Sequence, residues 1–274
     1  MSSLSVPAPA VRPAVTAPAT GWAVVAGQEL RDLWLAGRGL IFVFTFSLLL
    51  SVLTYLTAAN KELNLLDQKD TVKVIMQITL AIGIALSLLL SADAISGERE
   101  RATLETLLLT PLRSREIAFG KLLATLSIWP VILLISIPYL WVLRTGRELF
   151  LDAMASGFVV GTILALGFAA LGIIVSTFAT SNRVSLAASF FLFIILVAPS
   201  QLPGGLGKGW FGELLTRINP VTAGTDFLDK IIVSNHSWSQ ELSTLRAPII
   251  FASITIITAY FVTARIRLQG GHGG

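Results

Sequence analysis

The sequence predicts an all-α polytopic membrane protein: six transmembrane helices, an amphipathic interfacial helix ahead of them, and a charged, helix-prone segment between the second and third. Three observations carry this. Of 274 residues, 54% are hydrophobic and only 13% charged, where soluble domains run near a quarter charged; mean hydropathy is +0.78. Uncharged apolar runs occupy residues 39–58, 74–92, 122–143, 153–182, 184–203 and 247–264. About 20 residues at a rise of about 1.5 Å cross a hydrocarbon core of about 30 Å. Backbone groups in lipid must be paired internally, so each run is a helix. Third, the stretch from Ile95 to Leu112 spends a turn of charge, then leucines, then a proline. A simple reversal between spans needs only a short polar loop.

Taken in order, residues 1–21 form a Pro/Ala-rich tail with one charge, Arg12. The tail lacks the apolar core of a signal peptide and is expected to be disordered. In residues 22–38, Trp22, Ala26, Leu30, Leu33 and Gly37 fall at helical spacing, with Glu29, Arg31, Asp32 and Arg38 around the rest. That pattern predicts a helix lying in the membrane interface. The third span contains Pro130 and Pro138, which remove backbone bonds and kink a helix, whether for packing or as a hinge. Lys121 precedes this span and is expected to snorkel to the interface. In the fourth span, Gly157, Gly161, Ala165 and Ala169 recur every fourth residue. Such a stripe lets another helix approach closely, within one subunit or across a dimer.

Residues 204–246 are too polar to span. Asn219-Pro220 marks a turn or helix start ahead of a short helix at Val221–Val233. The leucines and aromatics of this external segment place it on the outer membrane face. Residues 269–274 are a flexible end, where His272 offers only a weak metal ligand.

Six crossings put both termini on one side. With the termini inside, the inner segments hold eleven Lys/Arg and the outer ones nine, three of the nine deep within the long 204–246 segment. Short loops dominate the positive-inside rule, so the termini are expected to be cytoplasmic.

Composition also excludes chemistry. No charged residue falls inside any run, whereas ion-coupled carriers keep ionisable groups at mid-membrane. Gln77, Thr79, Ser87, Ser91, Ser136 and Thr162 can hydrogen-bond between helices but carry no proton. Neither His236 nor His272 lies in a span, which removes a Ser–His pair or a His-bound metal at membrane depth. With no cysteine there is no disulfide or thiolate site. A net charge of +4 gives no reason to expect nucleic acid. Neither Gly120-Lys121 nor Gly207-Lys208 fits a phosphate-binding loop, so any ATP is bound by another chain.

The segment 93–116 therefore holds most of the interest. Ser96 reads as a helix cap, with Glu98 and Glu100 in the first turn, where the helix dipole favours negative charge. Thr110-Pro111 reads as its end. Leu104, Leu107 and Leu108 share one side; Glu98, Arg101 and Glu105 share another. A helix of this kind lies on lipid headgroups or is offered to a soluble partner.

From Ile95 through Gly120-Lys121 to Leu123 the sequence resembles the signature of ABC-2 type permeases, the membrane subunits of bacterial ABC exporters. Glu98, Arg99, Thr103, Leu104, Glu105, Pro111, Gly120 and Lys121 match that pattern. Ala102 stands where the family often has Gly, a departure with no consequence visible in the sequence. Gln28 to Asp32 is similar to the family's amphipathic lead helix, and Ile218-Asn-Pro220 to its late external motif. The likeness covers residues 22–268 and says nothing of the cargo.

The resemblance implies a coupling helix at about 96–110, docked on an ATP-binding subunit through Glu98, Arg99, Arg101, Thr103, Leu104, Glu105 and Leu108. It implies two ATPase copies that bind ATP and Mg, with no cofactor in this chain. It implies a second permease, identical or related, and the bacterial inner (cytoplasmic) membrane as location. The second and fifth spans would line the path, through Gln77, Ser87, Ser91, Ser189, Phe190 and Phe193; a largely apolar, uncharged lining suits a hydrophobic or amphiphilic cargo. Two other classes stay open at this point: a membrane anchor or scaffold that moves nothing, and an ion-coupled carrier.

Overall fold

Apolar helices in lipid can face lipid as readily as each other, so small residues decide which of them pack closely, and two of them form the axis here. The computed structural model describes residues 21–59, 68–103, 112–143, 147–201, 210, 214 and 217–264. Among these, every regular element is helical. The elements are α1 (Gly21–Trp34), α2 (Arg38–Ala59), α3 (Gln68–Glu100), α4 (Ser114–Leu126), α5 (Ile128–Leu143), α6 (Arg147–Phe178), α7 (Asn182–Val197), α8 (Pro220–Ile232) and α9 (Arg246–Thr263). Short helical turns sit at Ala198–Gln201, Trp238–Glu241 and Leu242–Leu245. Six stretches are long and apolar enough to cross a membrane, α4 and α5 together making the third.

The axis is α3 against α6. Half of the apolar window of α3 (50%) and 56% of that of α6 are buried, against 17% for α2 and 11% for α7. The small-residue stripe explains the packing. Gly157 meets Met76, Gly161 meets Trp129, and Ala165 and Ala169 are fully buried. The stripe therefore faces inward, within the subunit. At Gly172 the two backbones touch: any Cβ there would strike Leu88 O and Ala92 N. Trp129 donates from Nε1 to Thr162 Oγ1 at 3.2 Å, tying α5 to the same axis.

Three expectations change. The third span starts at Ser114, not at 122: Glu116 accepts from the N–H of Arg113 at 3.2 Å and closes the first turn, and the helix carries Lys121 inside it. Pro138 lies within α5 and is exposed.

The second change concerns α8. Asn219 caps it, accepting from Val221 N at 2.9 Å and Thr222 N at 3.1 Å, with Pro220 at its first position. Its apolar residues are spent on the bundle and not left open to lipid. Phe227, Leu228, Ile231 and Ile232 are buried, and Gly224 packs on Val160 and Leu164 of α6. Its apolar residues recur at helical spacing, so one face turns into the bundle. The third change, at the end of α3, belongs to the site below. The N-terminal tail, most of 202–216, and residues 265–274 with His272 lie outside the described residues.

Candidate functional site: a charged junction at one end of the bundle

At a rise of about 1.5 Å per residue, the 33 residues of α3 run about 50 Å, well beyond the hydrocarbon core. Its last turns carry Asp93, Glu98, Arg99 and Glu100 to the end of the bundle where α1 lies. The helix start expected at Ser96 is not there. Ser96 is fully buried within α3, and its Oγ donates back to Ala92 O at 2.7 Å. Glu98 and Glu100 thus sit in a last turn, where the dipole disfavours negative charge. A Ser followed by glutamates reads as a cap only if the chain breaks before it, and nothing between Ala92 and Gly97 breaks this helix.

The break comes later. Thr103 N donates to Glu98 O at 3.0 Å and Ala102 N to Arg99 O at 3.2 Å. Ala102 takes φ 56°, the left-handed conformation. These are the two bonds of a Schellman cap, which prefers glycine at this position. The departure at Ala102 therefore has a consequence: a Cβ in a backbone state that costs about 1 kcal/mol. Of the segment expected to form the coupling helix, only 96–103 is described. Leu104, Glu105, Leu108 and the Thr110-Pro111 stop lie outside the described residues.

Lys121 binds three helices together. It does not snorkel: its side chain is 3% exposed and pairs with Glu29 of α1 and, at 3.4 Å, with Glu98 of α3. Thr103 also donates to the Glu98 carboxylate. A buried ammonium between two carboxylates is held only because both are present. Gly120, one residue earlier, lets α1 come close, since a Cβ there would strike Trp22 O and Val25. Trp34 of α1 donates to Ser127 Oγ at 3.1 Å, so α1 lies along α4 from both ends. Gly37, at φ 89°, makes the turn from α1 into α2.

Asp93 is the second centre. It faces Arg101 at 3.5 Å and Arg38 at 3.8 Å, and accepts from Asn182 Nδ2 at 2.7 Å. Between the two centres lies a cleft of about 240 Å³ lined by Glu29, Asp32, Arg38, Asp93, Glu98, Arg101 and Lys121.

Arg99 points elsewhere. Its guanidinium donates to Thr177 O at 3.2 Å and to Ala179 O, where α6 ends. Glu100 accepts from Asn182 N at 3.0 Å, where α7 begins. One turn back, Ser176 Oγ accepts from Ile95 N at 3.0 Å and Ser96 N at 2.8 Å. Arg115 of α4 donates to Tyr260 OH at 2.8 Å and lies over its ring.

Of the expected contact residues, Glu98, Arg99, Arg101 and Thr103 thus gather at one junction. Sequence reasoning missed Glu29, Asp93, Ser176 and Asn182. Asp93, the first charge after the second apolar run, carried a signal; Ser176, inside an apolar helix, carried none. The expected path residues lie on α3 and α7, which pack against each other through Ser185 and Ala92. Ser87 is buried and donates to Gly83 O at 2.8 Å; Ser91 is buried against Thr125 Oγ1 at 2.8 Å. Ser189 is buried one turn past Ser185, which donates to Ala92 O at 2.7 Å. Gln77 and Phe193 are half-buried and Phe190 is exposed.

No curated protein matches the chain. The sequence model of the ABC-2 family transporter proteins matches residues 23–247, which takes in nearly all of α1, the whole of α2 to α8 with the junction, and the start of α9. By that match the chain belongs to the ABC-2 family of transporter proteins: it is the non-catalytic, multi-pass membrane permease of an ABC transporter, a component that pairs with an ATP-binding subunit.

Proposed function

We propose that this permease serves an exporter, and that the junction at the end of α3 receives the stroke of two ATPase subunits. Two permeases, identical or related, face each other, and the ATPases bind the ATP and Mg. The junction end and both termini are cytoplasmic, in a bacterial inner membrane. The observation that carries this reading is the placement of Glu98, Arg99, Arg101 and Thr103. They sit at the tip of the most buried pair of helices, tied at once to α1, α4 and the α6–α7 turn. A scaffold needs a surface; it does not need that surface wired to four helices.

The outward face of α7, with Phe190, Phe191, Ile194 and Ile195 exposed, supports an apolar path shared with the second permease. It favours a hydrophobic or amphiphilic cargo. Gln77, Ser87, Ser91, Ser189 and Phe193 lie behind or beside that face.

The chain has no cysteine, so a single Arg101→Cys reports topology directly. In intact cells an impermeant maleimide should leave it unlabelled until the membrane is opened. Labelling from outside ends this reading. Charge reversal at Arg101, whose side chain is half-exposed, should lower ATPase stimulation while insertion and expression stay intact.

A further inference from the structure

The end of α6 and the start of α7 each leave backbone groups without helical partners. The last carbonyls of α6 carry partial negative charge, and the first N–H groups of α7 carry partial positive charge. Two adjacent residues of α3 meet both. Arg99 donates to Thr177 O at 3.2 Å and to Ala179 O. Glu100 accepts from Asn182 N at 3.0 Å. Each charge has the sign its helix end favours. Behind them Ser176 Oγ takes the Ile95 and Ser96 N–H groups, and Asn182 Nδ2 donates to Asp93 at 2.7 Å. Further in, Ser185 Oγ donates to Ala92 O at 2.7 Å.

We propose that Arg99 and Glu100 are positioning residues that form a clasp. They make the end of α3 and the α6–α7 turn move as one body, so a push on residues 98–103 reaches the fourth and fifth spans without passing through the membrane core. Arg99 therefore acts within the permease and not as a contact for the ATPase. The two carbonyls need the planar fork of arginine; lysine offers one point charge and reaches one of them. The inference rests on the coupling reading above.

The test uses the complex of permease and ATP-binding subunit in nanodiscs of phosphatidylethanolamine and phosphatidylglycerol. Spin labels go on Val184→Cys, beside the turn, and Leu242→Cys, at the opposite end; both positions are exposed. The distance between them is measured without nucleotide and after trapping with ATP, Mg and vanadate. A shift is expected in the parent. Arg99→Gln should reduce it to less than half, and Arg99→Lys should fall between. A full shift in Arg99→Gln overturns the clasp while leaving the coupling reading standing. No shift in the parent overturns the coupling reading, and the clasp with it.

A second arm guards against misfolding. Ser96 Oγ and Ser176 Oγ are 3.2 Å apart, so Ser96→Cys with Ser176→Cys should cross-link in both nucleotide states. ATP hydrolysis by the oxidised complex should stay within twofold of the reduced one. A cross-link that stops hydrolysis, with recovery on reduction, would mean that this contact opens in each cycle, and the clasp would be refuted.

Discussion

The two ends of the bundle both carry charge, but they use it differently. At the α1 end, Lys121 is buried between Glu29 and Glu98, and Arg99 and Glu100 are spent on backbone groups of other helices. At the α8 end, Lys73 pairs with Asp229, and Lys230 with Asp226 at 3.1 Å and Glu241 at 2.9 Å, while His236 meets Glu241 at 2.8 Å. Lys69 donates to Val233 O at 3.3 Å and Asn235 Oδ1 at 3.1 Å. Burial opposes the charge on Lys230, but its hydrogen bonds to Glu241 and Asp226 outweigh that and hold its pKa above the ordinary lysine value. Most of these side chains remain a quarter or more exposed. They staple one short helix that is already held by its apolar face. The first end joins spans to one another around one buried ammonium and through bonds to the ends of other helices; the second fastens a packed part in place. In the coupling proposed above force would pass through the former, and the latter can lose a contact cheaply.

That contrast can be broken in order of effect. Lys121→Ala removes a buried ammonium from between two carboxylates that are themselves 31% and 23% exposed, and should cost about 1–3 kcal/mol. It should appear as a clear loss of melting temperature in detergent; an unchanged melt would show that the buried ion pair holds nothing. Ala102→Gly relieves the left-handed strain and should raise stability by about 0.5–1 kcal/mol. A lowered melt would disprove the cap as drawn. Lys73→Met at the other end should change stability by about 0.5 kcal/mol or less, screened by salt, as partly exposed pairs do. If it costs as much as Lys121→Ala, the two ends are not distinct.

Much of the chain was legible because two of its rules are local. Apolar runs of span length declare helices in lipid, and Asn219-Pro220 declares a helix start through its own side chain and ring. The segment 96–100 was misread because its Ser and Glu spell a cap that only chain geometry could veto. The acidic pattern is identical whether those residues open a helix or end one.

The sequence by itself determined the class, the six crossings, the family and the region where charge concentrates, since these follow from composition and from residues close in the chain. Tertiary structure decided which partners those charges take. Lys121 finds Glu29 92 residues away, and Arg99 finds Thr177 78 away. It also decided that α8 turns inward and that the glycine stripe packs within the subunit. Partners so distant are set by how helices cross, and crossing depends on the side-chain volumes of several elements together, which no single stretch of sequence records.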